Sequence, residues 1–192
     1  MQILVRRAKS KTLIAMCFLL IFISGCGTEK YYLRTEADIK NIKKIVVLPF
    51  ENFTSDEHAG EKVRRIVITE LISQEMDVVE PGEISKLFRE LKIKYISSIQ
   101  GSQLQEIGKT LGADAVIIGV VENFGISDGI SVKYPEVTII LRMIETSTGS
   151  VIWSIRQTSG GPDFWTRHFG SEGPSLSETA KKVVKEAIGT LF

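Results

Sequence analysis

The sequence predicts an α/β fold, a mixed β-sheet packed with about four helices in the order βαβααβββα, preceded by a signal peptide. Three observations carry this reading. Short apolar runs rich in β-branched residues alternate with helical stripes through the first half of the chain. Two strictly alternating runs then flank a glycine-bearing turn, and one wide helical stripe closes the chain.

The first strand is read at Lys43–Phe50, KKIVVLPF, an apolar run stopped by Pro49. Thr54 and Glu57 have the spacing of a capping box, so a helix is expected from there. Val63, Ile66, Val67 and Leu71 would line its buried face, with Lys62, Arg64 and Arg65 on a solvated one. Met76–Glu80 is a second short strand, punctuated by Pro81-Gly82. Ile84, Leu87, Phe88 and Leu91 form the stripe of a packed helix. Ser102 and Gln105 open a third helix, carrying Leu104, Ile107 and Leu111 and ended by Gly112.

Ala113–Val121 is apolar at both parities, as a central strand should be. Val137, Ile139, Leu141 and Met143 then alternate on one face, and Val151, Trp153 and Ile155 repeat the pattern beyond TSTGS. Gly149 suits a turn residue with positive φ, so these two runs read as an antiparallel hairpin. Ser175 and Glu178 start the last helix, whose stripe is Ala180, Val183, Val184, Ala187, Ile188 and Leu191.

The N-terminus answers where the domain resides. Arg6, Arg7, Lys9 and Lys11 precede the apolar run Leu13–Ile23, and no acidic residue occurs before Glu29. Such a run is too short to span a bilayer, which takes about 20 apolar residues, but it fits an export signal of roughly 7–15. Ile23-Ser24-Gly25-Cys26 resembles a bacterial lipobox, in which the thiol of the cysteine receives a diacylglycerol. The expected organisation is a lipoprotein signal peptide over 1–25, a tether over 26–41 and a domain over 42–192. Cleavage before Cys26 would remove Cys17 and leave one cysteine, whose acylation accounts for an odd thiol in an exported chain. Gly27 is not the Asp that often marks inner-membrane retention, so the expected site is the outer membrane, with the domain facing the periplasm.

Removing residues 1–25 takes the formal charge from +1 to −3, which deprives nucleic-acid binding of its electrostatic basis. His58 and His168 are the only histidines and share no metal-ligand spacing, so neither a metal nor a cofactor is expected. GKT at Gly108–Thr110 lacks the preceding glycine of a P-loop, and Asp114 with Glu122 is too weak a pair for acid/base catalysis. One irregular segment, Gln157–Pro174, exceeds the usual loop length of about 4–6 residues. Its Phe164, Trp165, His168 and Phe169 either cover a sheet edge or form a docking loop for a partner.

Several stretches carry a family resemblance. IVVLPFENFTSDEHAGEKVRRIVITELIS, VVEPGEISKLFREL, IGKTLGADAVIIGVVENFG and IETSTGSVIWS resemble, in order, the CsgG-like lipoproteins and the amino-terminal domain of TolB-type proteins. Leu48–Asn52, Leu111–Gly119 and Thr148–Trp153 are its most specific pieces, and Gly160–Leu176 is similar to small lipoproteins of the group. The resemblance implies a periplasmic α/β domain that binds other envelope proteins and has no known catalytic site. One relative forms a ring that secretes curli subunits, and another activates a peptidoglycan synthase. Channel-forming hairpins need about 9–11 alternating residues per strand, more than NFGISDGISVKYPE offers here.

The sequence therefore reads as a membrane-anchored, non-enzymatic binding or assembly module, with other envelope proteins or further copies of itself as partners. An activator of peptidoglycan synthesis and an envelope hydrolase with a scattered site are the alternatives.

Overall fold

The computed structural model describes residues 31–35, 39–129, 132–161 and 173–192. One seven-stranded sheet organises them: β1 (Tyr31–Leu33), β2 (Lys44–Val47), β3 (Glu51–Asn52), β4 (Asp77–Val78), β5 (Ala115–Asp128), β6 (Lys133–Glu145) and β7 (Val151–Gly160). Four helices pack on it: α1 (Ala59–Ser73), α2 (Pro81–Glu90), α3 (Gly101–Thr110) and α4 (Leu176–Ile188). The strand order is β1-β7-β6-β5-β2-β4, and β3 continues the line of β2 along β5. β2 runs parallel to β4 and β5, whereas each neighbouring pair along β5, β6, β7 and β1 is antiparallel. The mixed α/β class and the element order agree with the sequence reading, to which the structure adds β1 and β3.

Alternation divides the side chains between two cores. Ile45, Val47, Ile117, Val121, Ile139, Leu141 and Trp153 meet α1 and α4 on one face. Val46, Leu48, Val79, Val116 and Ile144 meet α2 and α3 on the other. Pro49 interrupts the line between β2 and β3, and the ring of Phe50 lies against Gly119, where a Cβ would sit only 2.7 Å from it.

Local competition moves several expected boundaries. Thr54 and Glu57 do not cap a helix, because Asn52 Oδ1 takes both the backbone N–H of Thr54 (3.1 Å) and its hydroxyl (2.8 Å). The chain turns through Asp56, and α1 starts only at Ala59. Helix α3 starts before Ser102, with Gln100 donating its N–H to Gln103 Oε1 at 2.9 Å. The Ser175–Glu178 box forms as expected, Ser175 N–H donating to Glu178 Oε2 at 2.7 Å and Glu178 N–H to Ser175 Oγ at 3.2 Å.

Two β-bulges change which side chains face the core. Met143 pairs with Trp153 but Ile144 pairs with Val151, so Ile152 is the extra residue on β7. Ile152 is consequently buried while Val151 is exposed, against the simple alternation expected of Val151, Trp153 and Ile155. On β5 the shift between Val121 and Asn123 makes Glu122 the extra residue and turns Phe124 inward.

Arg64 is not solvated as the helix pattern suggests. It is 4% exposed, and its Nε and Nη2 donate to the Val47 carbonyl at 3.1 and 2.9 Å. The reason lies in the sheet. Val79 N–H donates to the Ile45 carbonyl, so Val47, two residues on, presents its carbonyl to the same side, beyond the end of β4. Arg64 satisfies an acceptor that would otherwise be buried unpaired.

Asp114 also has a structural role. Its carboxylate accepts the backbone N–H groups of Lys44 (3.0 Å) and Lys43 (2.9 Å), which hold its pKa below the ordinary value. A carboxylate of depressed pKa contributes stability above its unfolded pKa, near about 3.9, and that contribution is lost as pH falls through the folded value. Asp114→Asn should therefore flatten the decline of melting temperature below about pH 4 relative to the parent chain. Parallel slopes in melts taken across this range would contradict that role.

Candidate functional site

Helices α2 and α3 pack on the β4, β2 and early β5 part of their face, and among the described residues no helix covers the rest of it. Strand pairing arranges its side chains in rows across the sheet. One row runs Glu51, Val120, Ile140, Arg156, and the next runs Ile118, Arg142, Ser154, Tyr32. Ile118, Val120 and Ile140 are half-buried, while Arg142 and Arg156 are exposed. Glu122, displaced by its bulge, binds Arg156 at 2.8 Å, and the Thr138 and Thr158 hydroxyls share a hydrogen bond of 3.0 Å.

A short 3-10 turn, Ile96–Ser98, connects α2 to α3 and raises one wall beside these rows. Between it and the sheet lies a cavity of about 320 Å³, floored by Ile118, Val120 and Ile140 and walled by Ile96, Ile99 and Leu104. Glu51 and Arg142 stand at its rim. Gly108 fits α3 closely against the turn between β6 and β7, since a Cβ there would collide with Thr146. Neither Glu51 nor Arg142 has an ion pair among the described residues. The arrangement can therefore hold an apolar side chain between one carboxylate and one guanidinium.

Among the described residues no cluster of three or more His, Cys, Asp or Glu could hold a metal. His58 sits at the N-cap of α1, its backbone N–H bonded to Asp56 Oδ1 at 2.9 Å. Asp114 and Glu122 are not brought together, each being engaged elsewhere, by Lys43 and Lys44 and by Arg156. Gly108, Lys109 and Thr110 close the C-terminal turn of α3, the negative end of a helix and the wrong end for a phosphate. Cys26, Phe164, Trp165, His168 and Phe169 lie outside the described residues.

Among the described residues, Ile126–Asp128 and Lys133–Pro135 pair only with each other beyond β3 and β7, as a two-stranded ribbon. These residues belong to strands, not to a connector, but three pairs fall well short of the roughly 9–11 residues of a bilayer-crossing strand. No helix among the described residues is long and apolar enough to cross a membrane.

No protein-family model matches the chain, and no curated protein matches its sequence. Solved structures do. The PelC dodecamer from Paraburkholderia phytofirmans matches with a TM-score of 0.59 at 20% identity, over 85% of this chain and 96% of that one. Lipoprotein GNA1162 from Neisseria meningitidis matches with a TM-score of 0.56 at 17% identity, over 77% and 99%. The hypothetical protein CT253 from Chlamydia trachomatis matches with a TM-score of 0.51 at 11% identity, over 78% and 95%. This chain shares their fold. In each case the likeness takes in nearly the whole of the solved chain.

The open groove was not legible in the sequence. Its residues run from Glu51 to Arg142 without local spacing, and only the count of helices against strands hinted that part of one sheet face would stay bare.

Proposed function

We propose that this protein is a lipid-anchored module of the bacterial cell envelope, of the CsgG-like kind, that works by binding and assembly and performs no catalysis. The observation that carries the reading is the junction of a lipobox at Cys26 with a fold shared, over nearly its full length, by a lipoprotein and by a protein that forms dodecamers. The domain faces the periplasm from the outer membrane. Its preferred contact is another copy of itself. The groove sets an apolar floor of Ile118, Val120 and Ile140 between Glu51 and Arg142, which suits an apolar side chain of a second copy flanked by charges of both signs.

Ile140 is the centre of that contact. Ile140→Glu puts a charge on the groove floor and should weaken assembly by roughly thirtyfold, equivalent to losing an anchor of about 2 kcal/mol. Light scattering across a dilution series of residues 27–192 reads this directly, and a thermal melt confirms that the variant folds. A multimer that survives the change in a folded variant would remove the groove from the assembly. A parent chain that stays monomeric at every concentration would remove self-assembly itself.

A further inference from the structure

Strand β1 places the folded domain much nearer to its anchor than a tether over 26–41 would. Fully extended, the chain from Cys26 to Ile42 could reach about 55 Å at roughly 3.3–3.6 Å per residue. Tyr31, Tyr32 and Leu33, however, pair antiparallel with Ile155, Ser154 and Trp153, and Arg34 N–H donates to the Ile152 carbonyl at 2.9 Å. Only the link from Cys26 to Tyr31 is left to span, at most about 18 Å.

That reach is close to the radius of gyration of a domain this size, about 15 Å, so the leash restricts which side can meet the bilayer. The opposite edge, β4, lies five strand spacings away from β1, about 24 Å at roughly 4.8 Å each. The edge nearest the anchor has a surface suited to an interface. Tyr31, Tyr32 and Leu33 are 48%, 50% and 38% exposed, and Val151, at the start of the neighbouring β7, is 37% exposed. Tyrosine rings favour the headgroup level of a membrane, where the ring is half-solvated and the hydroxyl stays wet. Arg34 follows directly and can meet lipid phosphates.

We propose that the β1 edge is a membrane-apposed surface, and that Tyr31, Tyr32 and Leu33 rest at the headgroup level of the bilayer holding the acylated Cys26. The proposal rests on the reading of Cys26 as the lipid anchor. It makes the sheet stand with β1 towards the membrane and β4 away from it, leaving the open groove between them accessible from the side.

The test uses the acylated full chain in vesicles of phosphatidylethanolamine and phosphatidylglycerol. Cleavage removes Cys17 and acylation occupies Cys26, so an introduced cysteine is the sole free thiol. An environment-sensitive fluorophore is attached in Tyr32→Cys, in Tyr31→Cys as a second edge variant, and in Asp77→Cys on β4. Each variant is first shown to melt cooperatively, and its intact mass is read for the lipid. Headgroup spin-labelled lipid should quench most of the emission at the β1 positions, with a blue shift, and leave the β4 position bright. Equal emission at the two edges of an acylated protein would overturn the proposal, as would quenching confined to β4. An intact mass without lipid would instead overturn the anchor reading, and the proposal with it.

Discussion

Trp153→Ala is expected to destabilise the domain by about 3–5 kcal/mol, the range for removing a large aromatic from a closed core. Trp153 is fully buried in β7 beneath α4, opposite Met143 on one side and Leu33 on the other. Its indole N–H donates to Thr190 Oγ1 at 3.0 Å, and that hydroxyl donates in turn to the Ala187 carbonyl at 2.8 Å. Truncation therefore opens a cavity and removes the tie between the sheet and the end of α4. At about 2–4 °C per kcal/mol for a domain of this size, the melting temperature should fall by roughly 6–20 °C. Trp153→Phe keeps most of the volume and loses the hydrogen bond, so it should cost less. A loss below about 1 kcal/mol for the alanine variant would mean that the ring does not fill this core.

Cys26→Ala should have an all-or-none effect on processing. On the lipobox reading the thiol accepts the acyl group and cleavage follows acylation, so the variant should accumulate as an unprocessed precursor without lipid label. Each buried methylene contributes about 0.8 kcal/mol, so two or three acyl chains hold a domain far more firmly than any exposed tyrosine edge could. The unacylated chain should consequently leave the vesicle fraction when its signal peptide is replaced by a soluble export signal. Lipid incorporation into the alanine variant would contradict the assignment.

The sequence patterns succeeded where a local period and the tertiary environment agree. Val137, Ile139, Leu141 and Met143 alternate in sequence and are all buried, and the stripe from Ala180 to Ile188 on α4 is buried throughout, as is Leu191 just beyond it. They failed where a distant group decides. Thr54 lost its cap role to Asn52, and Val151 lost its inward place to an inserted residue on its strand. Arg64 looks like a solvated cation until the short β4 leaves the Val47 carbonyl without a strand partner. Tyr31–Leu33 has too few residues for any period to show, and pairs because β7 offers an edge. The groove was hidden for the same reason: strand pairing, which no short window contains, assembles Glu51, Val120, Ile140 and Arg142.

The central claim is that one chain carries both a lipid anchor and a self-assembling domain. Native mass spectrometry of the protein extracted intact from bacterial membranes tests both together. The expected spectrum is a multimer whose released subunit begins at Cys26 and carries diacylglycerol. A monomer without lipid, beginning upstream of Cys26, would contradict the account.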